Sequence, residues 1–379
     1  MELCEPVDKT RVRFRGRTLI YFGGCDYFRL SRHPRVTQAI ERGLKRWGLN
    51  VSASRATTGN HPLYKKLESS LGNYFRCEAA VCVGSGYLGN LVAAQAMAGE
   101  FSMALLDERA HPALRDAARA LACPLRTFRH RDPGSMSRLL RKSEARPIVL
   151  TDGMFSHDGS IAPLREYLDA LPQSGRILVD DAHGAGLLGP NGRGTPELSR
   201  VSRAQIIQTI TLSKAFGIYG GAILGSRALT ERIRDRSRAY IGSTPLPLPL
   251  TAAALVAVQI LARDPSLRRQ LERNCAYFDG HAPPSIRRGP TTPNPIFGLV
   301  PETTASVRQH HETLLKHGIF PSFIKYPGGP ASGYFRFVLS SAHTRKQLDA
   351  LAGALAIALR TKNQPRGGSA VCYLPELDE

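Results

Sequence analysis

Between residues 79 and 226 short apolar runs alternate with stretches of helical period, and no other feature of the chain restricts its fold as much. Runs such as AAVCV, MALLD and PIVLTD are apolar on both faces, the mark of strands buried under helices on either side of a largely parallel sheet. The pattern predicts strands over Ala79–Val83, Met103–Asp107, Leu125–Phe128, Pro147–Asp152, Ile177–Asp180, Ile206–Leu212 and Gly221–Gly225. Between them, helices are expected over Tyr87–Met97, His111–Leu121, Met136–Lys142 and Leu164–Leu171. In an open α/β sheet ligands gather beyond the carboxyl ends of the strands, so the polar and glycine-rich turns there are the places to look for function.

After Ser226 the pattern changes. ALTERIRDRSRAY reads as one helix, STPLPLPL as a stiff proline-rich connector, and Thr251–Arg263 as a helix with a broad apolar face. The Pro-, Arg- and Thr-rich stretch 283–295 reads as a surface loop, followed by an α+β unit with a strand over Tyr334–Ser340 and a helix over Arg345–Leu359. The tail 363–379 fits neither element. A chain of 379 residues is long enough for two domains. The expected division is an N-terminal segment 1–45 that joins the smaller domain, a large domain 46–240, and a small C-terminal domain 241–379.

Charge and cysteine usage narrow the function classes. Lys and Arg number 51 against 31 acidic residues, a formal charge of +20 that favours anionic partners without choosing among them. A nucleic-acid-binding protein is the rival class, but the basic residues are dispersed and the single tryptophan offers no stacking platform, so no nucleic-acid partner is expected. No apolar run reaches the ~20 residues that span a bilayer. The opening MELCEPVDKTRVRFRGR carries charges where a secretion signal needs an apolar core. Seven cysteines, odd in number and without a C-x-x-C pair, argue against a disulfide framework or zinc module; a cytoplasmic location and no metal are expected.

Two segments carry the chemistry. In ILVDDAHGAGLLGPNGRGTPE an apolar strand delivers Asp180, Asp181 and His183 to a run of glycines. An aspartate capping the following loop explains this segment, a metal site is a second reading, and a carboxylate facing a cation is a third, because a buried carboxylate is costly unless paired. In QTITLSKAFGIYGGAILG the small and apolar neighbours of Lys214 set it apart from the surface lysines, since desolvation lowers an amine's pKa toward nucleophilic use. A Schiff-base lysine with an aspartate elsewhere that pairs with a pyridinium nitrogen describes a pyridoxal phosphate site.

VDDAHG followed by TLSKAFG resembles the α-oxoamine synthases, fold-type I pyridoxal phosphate enzymes. The likeness extends to RTLIYFGGCDYFRLSRHPRV, SASRATTGNHPLYKKLESSLGNYF, DGMFSHDGSIAPLREYL and YFRFVLSSAHTRKQLDAL, in the family's order. The resemblance implies an α/β fold with a mostly parallel central sheet and a smaller α+β C-terminal domain. It implies condensation of an amino acid with an acyl thioester, on coenzyme A or an acyl carrier protein, with loss of carbon dioxide.

By the same likeness Lys214 is the Schiff-base lysine and proton carrier, Asp180 faces the pyridine nitrogen, and His111 stacks on the ring. His183 and Ser156 lie near the phenolic oxygen; Ser85, Gly86, Tyr87 and Thr211 hold the phosphate, helped by Thr244 of a second subunit in a homodimer. Arg336 grips the substrate carboxylate, and Cys25 stands where the family usually carries asparagine in a substrate-binding block. Tyr64, Asp152 and His157 also depart from the family's usual histidine, glutamate and methionine. Glycine C-acyltransfer, or an aminotransferase or decarboxylase on the same scaffold, is the nearest alternative.

Overall fold

The computed structural model describes residues 3–140, 146–286, 294–326 and 329–360. The strands are β1 (Glu5–Pro6), β2 (Arg11–Phe14), β3 (Arg17–Ile20), β4 (Ala79–Val83), β5 (Met103–Asp107), β6 (Leu125–Phe128), β7 (Pro147–Asp152), β8 (Arg176–Asp180), β9 (Ile206–Thr211), β10 (Gly221–Gly225), β11 (Ile296–Leu299), β12 (Phe323–Ile324) and β13 (Tyr334–Val338). The helices are α1 (Pro34–Trp47), α2 (Pro62–Phe75), α3 (Gly86–Ala96), α4 (Pro112–Ala120), α5 (Pro133–Leu140), α6 (Leu164–Ala170), α7 (Thr195–Leu198), α8 (Arg227–Arg236), α9 (Arg238–Ile241), α10 (Leu248–Arg263), α11 (Ser266–His281), α12 (Thr304–Lys316) and α13 (Arg345–Arg360).

The expected central sheet is present, with seven strands in the order β4-β10-β9-β8-β7-β5-β6. β9, β8, β7, β5 and β6 pair in parallel, while β10 runs antiparallel to both β9 and β4. Period two divides each strand between two cores. Leu178, Ile148 and Leu150 join α3, α4 and α8 on one face; Ile177, Val179 and Val149 join α5 and α6 on the other. Each such buried aliphatic side chain contributes roughly 1.5–3 kcal/mol, and a one-residue slip would exchange the two faces.

The segment 243–250 departs from expectation. Instead of a connector, its second half is the first turn of α10, which starts at Leu248 with Pro249 in its first turn, where a missing N–H costs nothing. ALTERIRDRSRAY is two helices: the backbone leaves the helix at Ser237 (ψ 106°), whose hydroxyl caps α9 at Tyr240 N and donates to Gln95 Oε1 at 3.0 Å. The end of the expected helix 136–142, most of the loop 283–295 and the tail 363–379 lie outside the described residues.

The N-terminal hairpin adjoins a second sheet, β11-β13-β12. Ile20 N donates to Gly318 O at 2.7 Å, Phe320 N returns to Ile20 O at 2.9 Å, and Val338 N donates to Phe22 O at 2.6 Å. α10 packs across α1 and α2. Among the described residues no single helix is long and apolar enough to cross a membrane.

Candidate active site

β4, β7, β8 and β9 all end at one side of the central sheet, and the turns beyond them enclose a cavity of about 300 Å³. The structure brings together there Ser85, Gly86, Tyr87, His111, Asp180, His183, Thr211 and Lys214, all expected from sequence. Asp152, Ser213, Tyr219 and Tyr326 line it as well.

The adjacent aspartates part company. Asp180 closes β8 with Oδ1 accepting from Ala182 N at 3.1 Å and Oδ2 from Asn90 Nδ2 at 2.6 Å. Asn90 is oriented in turn, its Oδ1 accepting from Thr209 Oγ1 at 2.6 Å. Asp181 points to the other face, accepting from Thr195 N at 2.9 Å, Thr195 Oγ1 at 2.6 Å and Gln208 Nε2 at 2.6 Å. It ties down the glycine loop: a Cβ on Gly194, at φ +89°, would lie 1.8 Å from its Oδ2. Burial pushes the Asp181 carboxyl up to about 7. The metal reading of Asp180, Asp181 and His183 therefore fails on geometry, because Asp181 turns away from the cavity that Asp180 and His183 line.

Burial holds the Lys214 amine below the ordinary lysine range, against the opposing pull of Cys25, Asp180 and Asp152. Burial, then the Lys214 and Arg336 charges, holds His183 well below the usual imidazole range, so the ring is neutral at pH 7. Its Nδ1 shares a 2.7 Å hydrogen bond with the Tyr27 hydroxyl. Asp152 ends β7 in register with Asp180, and burial followed by the Asp180 charge pushes it well above the usual carboxylate range. Its Oδ2 accepts from His111 N at 2.8 Å.

His111 caps a helix and lines the cavity at once. Nδ1 caps α4, accepting from Ala113 N at 3.1 Å, which leaves Nε2 to carry the ring proton and meet the Tyr326 hydroxyl at 2.7 Å. The capping bond thereby fixes the tautomer and aims the imidazole across the cavity.

Where β4 turns into α3, the first-turn N–H groups of the helix and the Ser85, Ser213 and Thr211 hydroxyls converge. Ser85 caps the helix at Leu88 N, and Thr211 Oγ1 lies 2.7 Å from Ser213 Oγ. Position 86 tolerates only glycine, since a Cβ would come within 2.7 Å of Thr211 Cβ. A helix N-terminus ringed by hydroxyls suits a phosphate dianion, and Asp180 with Lys214 suits a cationic ring and its aldehyde. The residues present thus fit pyridoxal phosphate.

Four expected residues lie outside the cavity lining. Arg336, on β13, donates through Nη1 to Ser156 O at 3.2 Å, and its charge acts on His183 and Lys214. Ser156 enters through that carbonyl. Cys25 is half-buried and felt at Lys214. Thr244 is exposed in the turn before α10.

Sequence reasoning missed Asn90, Tyr27, Asp152, Ser213, Tyr219 and Tyr326 as site residues. Asn90 had a signal: it lies four residues after Gly86 on α3, one helical turn along the same face. Tyr326, in KYPGGP, had none.

A family model described as aminotransferase class I and II matches residues 18–355. The chain is 34% identical over 359 residues to a putative 8-amino-7-oxononanoate synthase of Desulforudis audaxviator, covering 94% of this chain and 93% of the relative. It is 33% identical to 8-amino-7-oxononanoate synthase of Methylococcus capsulatus, covering 94% and 93%. A solved serine palmitoyltransferase variant from S. paucimobilis, with a bound PLP–myriocin aldimine, superposes with TM-score 0.87 at 26% identity, over 94% of this chain and 91% of that one. The chain belongs to the aminotransferase class I and II family and, within it, to the pyridoxal-phosphate-dependent α-oxoamine synthases.

Proposed function

We propose that this enzyme joins an amino acid, with alanine the leading candidate, to a pimeloyl-type acyl thioester with loss of carbon dioxide, as an 8-amino-7-oxononanoate synthase acting in biotin synthesis. The reading is supported by relatives of that name at 33–34% identity over nearly the whole chain. The observation that carries it is the Lys214 amine sharing one cavity with the Asp180 carboxylate and the hydroxyl-ringed start of α3.

Pyridoxal phosphate, when bound, supplies an electron sink for the carbanion formed at the amino acid's α-carbon. In this reading Lys214 holds the cofactor and then, with its basicity lowered by burial, takes the α-proton and returns it at Nζ. Asp180, braced by Asn90, would hold a proton on the cofactor's ring nitrogen. Ser85, Gly86, Tyr87, Ser213 and Thr211 hold the phosphate. His111, with Nε2 aimed by its capping bond, would stack on the cofactor's ring, and His183 and Ser156 would attend its phenolic oxygen. Arg336 presents its remaining donors to the substrate carboxylate, and Cys25 lies at the amino-acid pocket beside it.

The exposed Thr244 reaches the phosphate of a second subunit in a homodimer. In the same proposal residues 46–240 form the large cofactor-binding domain, and the N-terminal segment 1–45 joins the small C-terminal domain 241–379. The location is cytoplasmic, and the basic surface receives the donor on coenzyme A or an acidic carrier protein.

The test is to mix the cofactor-loaded enzyme with alanine, glycine or serine and a pimeloyl thioester, and to follow free thiol and carbon dioxide together. Equal release of both with alanine is expected. Amino-group exchange, or carbon dioxide without thiol, would assign the chain to an aminotransferase or decarboxylase instead.

A further inference from the structure

The opposite end of the central sheet holds a second cavity, of about 310 Å³, that the reaction does not use. Its walls are the segment leading into β4, the starts of β8 and β9, and the end of β10. β8 joins the two sites: Arg176 at its start lines this cavity and Asp180 at its end lines the other, roughly 13 Å apart at the rise of a strand.

Five arginines face it, Arg76, Arg146, Arg176, Arg203 and Arg232, against two carboxylates, Glu78 and Glu100. Glu100 is taken by two of them, lying 3.0 Å from Arg232 Nη1 and 3.6 Å from Arg146 Nη2. Glu78 accepts from Arg227 N at 3.2 Å. Arg176 Nη1 binds the carbonyls of Gln173, Ser174 and Gly175 at 3.1, 3.2 and 2.7 Å, which engages that nitrogen without neutralising the charge. Arg203 is half-buried, yet only Nη1 is engaged, donating to the neutral Gln208 Oε1 at 2.9 Å. Its Nε and Nη2, and Arg232 Nε, have no hydrogen-bond partner among the described residues.

Gathering like charges around a partly desolvated hollow is unfavourable unless a counter-charge enters it. Guanidinium forks match phosphate geometry, and the volume lies at the lower end of the range for small-ligand pockets. We propose that this cavity is a second anion site, which binds a phosphate or diphosphate group.

The test uses the cofactor-loaded enzyme, in which the phosphate cradle at α3 is filled. Thermal unfolding and calorimetry are followed against pyrophosphate and inorganic phosphate, with sodium chloride holding ionic strength constant. Saturable stabilisation is expected, stronger for pyrophosphate. Arg203→Gln weakens it about tenfold while leaving the cofactor absorbance and kcat/KM within twofold of the parent. If Arg203→Gln does not fold, Arg146→Gln at the more exposed rim gives a smaller loss of about threefold. A nucleoside diphosphate run beside pyrophosphate distinguishes an organic phosphate from the free anion by which binds tighter. Stabilisation no greater than that of chloride, or equal in parent and variants, overturns the proposal.

Discussion

Asp180 and Asp181 are neighbours in sequence, and both are buried, yet the structure gives them different work. Asp180 faces Asn90 on α3 and opens onto the cavity with Lys214; Asp181 faces the glycine loop and is closed in by Thr195 and Gln208. One carboxylate keeps a side free for chemistry, whereas every donor around the other holds backbone in place. Residue type and burial alone therefore do not mark a catalytic group; what matters is whether its hydrogen-bonding capacity is used up by the fold.

The sharpest break of that contrast is Lys214→Ala. It is expected to lower acyl transfer by about 10⁴-fold or more and to abolish borohydride-fixed cofactor label at residue 214, with thermal stability retained. Label elsewhere would reassign the site. Asp180→Asn is expected next, with kcat reduced roughly 10²–10³-fold and little loss of stability, because Asn90 still finds an acceptor.

Asp181→Asn reverses the pattern. An amide placed against three donors destabilises the fold by about 2–3 kcal/mol, read in denaturant unfolding, while kcat per folded molecule stays near the parent value. If Asp181→Asn instead cost activity and not stability, the division of roles would be wrong.

The buried histidines extend the comparison to pH. Burial holds His183 well below its ordinary range and brings His343 down to about 3. In the folded state these two histidines then bind fewer protons than in the unfolded chain below about pH 6.5. Their share of the stability falls as pH drops through 6 to 4, by up to about 1.4 kcal/mol per unit for each, against the opposite slope from the raised carboxyls of Asp152 and Asp181. His343→Asn should flatten that dependence in unfolding titrations without touching the cofactor spectrum. The smallest effect is expected from Tyr27→Phe, which removes the bond to His183 at a cost of about 1 kcal/mol and a few-fold in kcat.

The central sheet was legible because all its strands but the edge strand β6 are buried on both faces, and the observed strand bounds differ from those expected by no more than a residue. The N-terminal hairpin carried a signal that went unread: Arg11-Val12-Arg13-Phe14 alternates exposed and buried, and Arg15 and Gly16 both take positive φ at its turn. β12, two residues long, has no period to detect. In the active site, Lys214, Asp180 and His183 stood out because polar groups follow apolar strands. Tyr326 and Tyr27 did not, since each meets its histidine only after distant segments fold together, 215 and 156 residues apart in the chain.

By itself the sequence determined the layered α/β architecture, the turns where chemistry would sit, and the family, since period and local motif are properties of contiguous residues. Tertiary structure alone decided which aspartate opens to the cavity, which tautomer His111 adopts, and that five scattered arginines face one hollow. Those outcomes depend on which groups compete for the same hydrogen bonds and share the same desolvation, and such competition exists only once the sheet has brought them within reach of each other.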